Sequence, residues 1–116
     1  MTDLEKRFPI RFYRTASGRE PVRDWLKELA PEDRRTLGED LKTVEYGWPI
    51  GMPLCRCLHG DLWEVRSNLS DRRIARVLFC VTNSQIVLVH GFIKKTQSTP
   101  KSDLALARQR MKEVLS

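Results

Sequence analysis

The 116-residue chain has no apolar run approaching the roughly 20 residues that a bilayer-spanning helix requires. Its first residues, MTDLEKRFP, lack the apolar core of a signal peptide. There are only three cysteines, an odd number, and nothing in the sequence indicates secretion, so reduced thiols are expected rather than a disulfide framework. These absences predict a cytoplasmic protein without a membrane segment.

Motifs of several enzyme classes are also missing from the sequence. It contains no glycine-rich phosphate loop, no nucleophile elbow and no acidic pair with metal-binding spacing. Cys55, Cys57 and His59 alternate along the chain, but a structural zinc site needs about four ligands, usually in two separated pairs, and no second pair follows. We therefore expect neither a metal nor another cofactor.

Composition and charge indicate a globular protein that favours acidic partners. A hydrophobic content of 41% and a charged content of 31% are typical of a soluble domain, and the length suits one domain over residues 1–116. Lysine and arginine number 21 against 15 acidic residues, which gives a net charge of +6. Nucleic acid or an acidic peptide would suit this excess.

The first half of the chain predicts a strand followed by a helical hairpin. Residues 9–13 alternate like a strand, and residues 15–18 form a turn. Pro21 and Pro31 each suit the first position of a helix, and Gly47 fits the left-handed position after the second one. The inner faces of the two helices would consist of Val22, Trp25, Leu26, Leu29, Leu37, Leu41 and Val44.

The second half predicts four strands and a last helix. Strands are expected at residues 54–58, 62–66, 72–81 and 85–95, separated by breaks rich in serine, asparagine and aspartate. Thr99 can cap a helix that Pro100 begins, with an inner face of Leu104, Ala107, Met111 and Leu115. The order βααβ, three more strands and α predicts an α+β fold with helices packed on a mainly antiparallel sheet, whose other face can stay open for function.

Four cations lie in or beside the apolar strands: Arg66, Arg76, Lys94 and Lys95. An unpaired buried charge is costly, so these side chains need a partner, and a polyanion would be one. They come from three neighbouring strand segments, so folding could gather them around one RNA phosphate. Arginine binds phosphate through its planar, forked guanidinium group, and lysine binds it as a compact point charge. The alternative is a solvated or ion-paired sheet edge.

Further candidates accompany these cations. Glu64 shares a strand face with Arg66 and could take the proton from a 2′-hydroxyl, or it could simply form an ion pair there. His90 suits acid–base chemistry near neutral pH, although a structural histidine is common in such an apolar stretch. Phe92 could stack on a base or belong to the core, and Arg73 completes the expected RNA-contacting set of Arg73, His90 and Phe92.

Five segments together form a recognisable pattern: residues 13–22, 25–26, 58–66, 76–79 and 90–100, the last reading HGFIKKTQSTP. They resemble the HigB-like, phage-derived branch of the RelE/ParE toxin superfamily of type II toxin-antitoxin systems. The likeness extends over about residues 10–115. Its most specific part is the stretch GFIKKT at residues 91–96 together with Pro100.

The resemblance implies a RelE/ParE-like α+β toxin that cuts mRNA on the ribosome without a metal, that is, an endoribonuclease. It also implies a cognate helix-turn-helix antitoxin as partner. Arg66, Arg76, Lys94 and Lys95 match family positions whose basic residues contact and polarise the scissile phosphate, whereas Glu64 falls at a position that varies. Because the superfamily includes ParE-like toxins that inhibit gyrase without hydrolysis, a non-hydrolytic protein binder is the alternative, and an inert partner of an antitoxin is a third possibility.

Overall fold

The computed structural model describes residues 7–94 and 98–116, and its elements follow the predicted order. The strands are β1 Ile10–Phe12, β2 Cys55–His59, β3 Leu62–Asn68, β4 Ile74–Thr82 and β5 Gln85–Lys94. The helices are α1 Pro21–Glu28, α2 Pro31–Gly47 and α3 Lys101–Leu115. The α+β prediction is confirmed, and both helices of the hairpin begin at the predicted prolines.

One five-stranded sheet runs in the order β1-β5-β4-β3-β2. All neighbouring strands are antiparallel except β1, which lies parallel to β5. Asn83 and Ser84 join β4 to β5 with φ angles of 50° and 59°. A two-residue turn with both φ angles positive matches the twist of the strands that it joins, so this polar break fixes the central hairpin.

A β-bulge interrupts the alternation of side chains along β5. Phe79 lies opposite Leu88 but Leu78 lies opposite His90, so Val89 is an extra residue. Val89 packs against the α3 side of the sheet, and its carbonyl accepts a 2.8 Å hydrogen bond from Nη1 of Arg110 on α3. Because of this insertion, even-numbered residues of β5 face one side of the sheet before the bulge and the other side after it.

The helical hairpin covers one face of the sheet and forms the first core. Its fully buried residues include Val22 of α1 and Leu37 and Val44 of α2. Trp25 of α1 lies directly on the backbone of β5, where a Cβ added to Gly91 would stand 2.5 Å from the indole ring. Glycine at this strand position therefore permits a close approach that any side chain would block.

The third helix covers the opposite face and forms the second core. Ala107 of α3 is fully buried, and the partly buried Leu104, Met111 and Val114 flank it. The expectation of an open sheet face is therefore wrong. Leu115 is 42% exposed, which corrects its predicted inward position, because Val114 lies two turns after Ala107 and continues the buried stripe instead.

Two predicted helix-end roles are also wrong. Gly47 stays helical as the last residue of α2, and a Cβ there would lie 3.1 Å from Cδ1 of Ile50, so close packing rather than a left-handed φ accounts for the glycine. Thr99 does not cap α3. The N-cap residue is Pro100, and no side chain makes a capping hydrogen bond there. None of the helices in the described ranges is both long and apolar enough to span a bilayer.

Candidate anion-binding site

Two neighbouring rows of the sheet place three arginines and a glutamate on the α3 face. Arg56 of β2 lies directly across from Glu64 of β3, and Arg66 lies directly across from Arg76 of β4. Alternate residues of a strand point to the same side, so all four side chains share one face. The structure thus brings Arg66 and Arg76 together and adds Arg56. We call these four residues the arginine cluster.

All three arginines of the cluster pair with the same carboxylate. Oε1 of Glu64 lies 3.5 Å from Nη2 of Arg56, 3.7 Å from Nε of Arg66 and 3.7 Å from Nη1 of Arg76. The other carboxylate oxygen, Oε2, accepts a 2.6 Å hydrogen bond from Oγ1 of Thr99. Nη1 of Arg76 donates to the same threonine hydroxyl at 3.4 Å. Thr99 therefore links the start of α3 to the centre of the cluster.

The arginine cluster carries more positive than negative charge, with three guanidinium groups around one carboxylate. Burial lowers the pKa of the Arg76 guanidinium, the Glu64 carboxylate opposes that shift, and the charges of Arg66 and Arg56 add to it. Arginine holds carboxylates and phosphates with the same planar fork. An anion that approached the cluster would therefore meet groups suited to phosphate and already arranged around a negative charge.

The exposure of the cluster is graded from its centre to its edge. The side chains of Glu64 and Arg76 are fully buried, whereas those of Arg66 and Arg56 are 21% and 34% exposed. A phosphate arriving from solvent therefore reaches Arg56 and Arg66 first. The Arg76 side chain has no exposed surface that RNA could contact in this arrangement. The predicted catalytic roles of Arg66, Arg76 and Glu64 remain predictions.

Lys94 and His90 form a second polar group rather than part of the arginine cluster. Nε2 of His90 lies 2.6 Å from Oδ1 of Asp103 on α3, and Nζ of Lys94 lies 3.9 Å from Oδ2 of the same carboxylate. Lys94 is 43% exposed, so its ammonium is open to solvent beside the contact between His90 and Asp103. Phe92 is buried in the second core and offers little ring surface for stacking on a base. Lys95 lies outside the described residues.

Arg73 points to the opposite side of the sheet from the arginine cluster. It makes a bidentate contact with Asp33 of α2, with both N–O distances 2.9 Å, and its Nε donates to the carbonyl of Ser70 at 3.1 Å. Since α2 packs on the face away from α3, the structure does not bring Arg73 together with His90 and Phe92, and its expected contact with RNA stays a prediction. Arg73 instead ties the turn before β4 to the helical hairpin.

Two residues of the site, Arg56 and Thr99, were not predicted from the sequence. Arg56 belongs to the cluster only through the β2–β3 register, which spacing along one strand does not reveal. The sequence does contain one signal, a glycine midway between Arg56 and Glu64 that suits a hairpin turn. In the structure this residue, Gly60, has a positive φ of 59°. Thr99 looked like a helix cap, and its hydroxyl serves Glu64 instead.

Two cavities among the described residues lie away from the cluster. One of about 500 Å³ separates β1 from α2, and one of about 220 Å³ lies between Trp25, His90 and Arg110. Across residues 7–94 and 98–116, no group of three or more His, Cys, Asp or Glu side chains is arranged to hold a metal ion. The arginine cluster, by contrast, gathers three guanidinium groups of the kind that can hold a phosphate.

Comparison with known proteins gives a family assignment. A family model described as "Phage derived protein Gp49-like (DUF891)" matches residues 24–112, more than three quarters of the chain. A search of curated proteins gives no match to the chain. The matched range includes every residue of the arginine cluster together with Thr99. The chain therefore belongs to the phage-derived Gp49-like family, a family of RelE-like, toxin-like proteins.

Proposed function

We propose that this protein is the toxin of a type II toxin-antitoxin system of the HigB-like kind, and that it is an endoribonuclease which cleaves mRNA on the ribosome. The observation that carries the proposal is the gathering of Arg56, Arg66 and Arg76 around one buried carboxylate. The family assignment supports the toxin part of the proposal. The net charge of +6 is compatible with a nucleic-acid substrate.

The proposed reaction is an in-line attack within the RNA. The 2′-oxygen forms a bond to the adjacent phosphorus, the bond from phosphorus to the 5′-oxygen breaks, and the proton lost from the 2′-hydroxyl is balanced by one gained at the leaving oxygen. The product is a 2′,3′-cyclic phosphate and a free 5′-hydroxyl. Arg66 and Arg56, the exposed members of the cluster, would hold the phosphate and stabilise the charge that develops on it.

Positioning by the ribosome would supply much of the rate. Holding reactants in a reactive geometry contributes up to about 7–11 kcal/mol, so a site built from cations can act without a metal or a strong base. A cognate helix-turn-helix antitoxin would complete the system by binding and neutralising the toxin.

The test is to induce the gene alone and map mRNA ends by primer extension. We expect growth arrest, with mRNA breaks at defined codon positions. In an assay with isolated ribosomal complexes, the same breaks should persist when a divalent-metal chelator is added at a concentration that leaves the ribosomes intact. Arg66→Ala should lower cleavage by about 10²–10³-fold, the usual cost of losing one transition-state donor. Arg35→Ala, an exposed arginine on α2, is the matched control and should retain activity.

Two results would contradict the proposal. Intact mRNA accompanied by DNA damage would favour inhibition of gyrase instead. An Arg66→Ala variant that folds normally and remains as toxic as the parent would remove the arginine cluster from the mechanism.

A further inference from the structure

Glu64 is the carboxylate nearest to the proposed phosphate contacts, but its surroundings do not fit a general base. Such a base must lie within about 2.6–3.2 Å of the proton that it takes in a plausible substrate pose. The Glu64 side chain is fully buried, its Oε2 already accepts the Thr99 hydroxyl, and its Oε1 faces three guanidinium groups. In this arrangement a 2′-hydroxyl has no path to either oxygen.

The contacts of Glu64 fit an electrostatic role better. Oε1 stands 3.5–3.7 Å from all three arginines and accepts no hydrogen bond from the described residues. It therefore acts on the guanidinium groups through its charge rather than through a fixed fork. Three cations on adjacent strands would repel one another more strongly without that charge, and the fully buried Arg76 would lose the carboxylate that lies 3.7 Å from its Nη1.

We infer that Glu64 is a positioning residue, an internal anion that gathers Arg56, Arg66 and Arg76 into a phosphate-binding arrangement. This inference rests on the proposed phosphate chemistry of the cluster. Thr99 fixes the carboxylate from the α3 side, so that its charge stays centred among the arginines. Because arginine binds carboxylate and phosphate in similar ways, an external phosphate can take over the task of Glu64 when the carboxylate is neutralised.

The consequence is a rescue by anions that can be measured without RNA. Glu64→Gln keeps the size of the side chain and an oxygen for Thr99 but removes the charge. An anion that binds only the folded state raises stability by mass action. The variant should therefore melt below the parent in chloride and recover when inorganic phosphate replaces chloride at constant ionic strength.

Thermal unfolding of four proteins tests the inference: the parent, Glu64→Gln, Glu64→Asp and Glu39→Gln. Phosphate should raise the Tm of Glu64→Gln by about 5 °C or more, and that of the parent by less than about 2 °C. Glu64→Asp keeps the charge and loses packing, so it should melt lower without a gain from phosphate. Glu39→Gln neutralises an exposed carboxylate on α2 and should behave like the parent.

Each outcome decides the matter. A phosphate response of Glu64→Gln no larger than that of the parent overturns the inference, and so does a variant that stays unfolded in both salts. A variant that folds only in phosphate supports it. The result is separable from mRNA cleavage: rescue of Glu64→Gln with an inactive parent protein would refute the nuclease alone, whereas an active parent without rescue would refute the positioning role alone.

Discussion

Replacing Gly91 by alanine tests how tightly the helical hairpin is seated on the strand that leads to the site. The new Cβ would lie 2.5 Å from Cζ3 and 2.6 Å from Cε3 of Trp25. Carbon atoms in contact prefer separations of about 3.5–4.0 Å, so the ring would have to retreat by about 1 Å. Trp25 cannot retreat alone, because Val22 on the same helix is buried in the first core.

The expected cost follows from comparable overpacked cores. Forcing extra carbon into a packed site typically costs about 1–3 kcal/mol, and here the clash must also exceed the gain of about 0.5–1 kcal/mol that alanine ordinarily offers over glycine within a strand. We therefore expect Gly91→Ala to lower the free energy of unfolding by about 1–2 kcal/mol. For a domain of this size that corresponds to a Tm lower by roughly 3–10 °C.

Urea denaturation followed by circular dichroism measures the change, and the chain supplies its own control. Gly38 lies inside α2 with nothing within 4 Å of an added Cβ, so Gly38→Ala should stabilise the protein by about 1 kcal/mol. The opposite signs of two identical substitutions would separate steric clash from backbone entropy.

A double-mutant cycle with Trp25→Leu completes the test. If the indole causes the penalty, Gly91→Ala should cost at least about 1 kcal/mol less in the Trp25→Leu background. An equal cost in both backgrounds, or a Gly91→Ala protein as stable as the parent, would refute the proposed contact between α1 and β5.

Two further predictions use the pKa shifts of buried and paired groups. Burial raises the pKa of the Cys55 thiol and of the Cys80 thiol to about 11 each, whereas Cys57 is exposed. A thiol reagent at neutral pH should therefore modify one cysteine in the native protein and three after denaturation. Rapid modification of all three cysteines in the native state would contradict the burial of Cys55 and Cys80. The hydrogen bond from Arg73 lowers the pKa of Asp33, so this carboxylate stabilises the fold above its unfolded-state pKa of about 3.9 and the contribution is lost as pH falls through the lower folded-state pKa. The difference in unfolding free energy between the parent and Asp33→Asn should thus be constant near neutral pH and shrink on acidification below about pH 4, and a difference that did not change with pH would show that the ion pair is not involved.

Much of the fold could be predicted because local signals coincide with its elements. Pro21 and Pro31 fix φ at the first position of each helix, and both helices begin there. Asn83 and Ser84 tolerate the positive φ that the central hairpin requires. These signals act within a few residues, so they can be recognised in the sequence without knowledge of the tertiary structure.

The site was predicted only where one strand pair determines it. Arg66 and Arg76 meet because consecutive strands joined by a short turn pair with each other. The sequence predicts Lys94 in the same group, but the structure places it at the end of β5 and pairs it with Asp103, whose position depends on how α3 docks. Docking of a helix is set by packing across the whole second core, which no local pattern encodes.

Regular alternation also fails within β5. A strict period of two would place Leu88 and Phe92 on the same face, yet Leu88 lies in the first core and Phe92 in the second. A single extra residue causes the difference, and the apolar run Ile-Val-Leu-Val contains no turn residue that would indicate it. Alternation alone therefore does not predict which side chains of β5 face the site.

The bulge at Val89 also limits how residue roles can be carried between relatives. A related chain with a regular fifth strand would align with this one only if a gap were opened opposite Val89. Without the gap, each residue after Val89 would be aligned with a residue whose side chain lies on the opposite face of the sheet. His90, which lies on the α3 face, would then be aligned with a residue that faces the helical hairpin. Comparisons of side-chain function in this segment should therefore follow strand pairing rather than residue count.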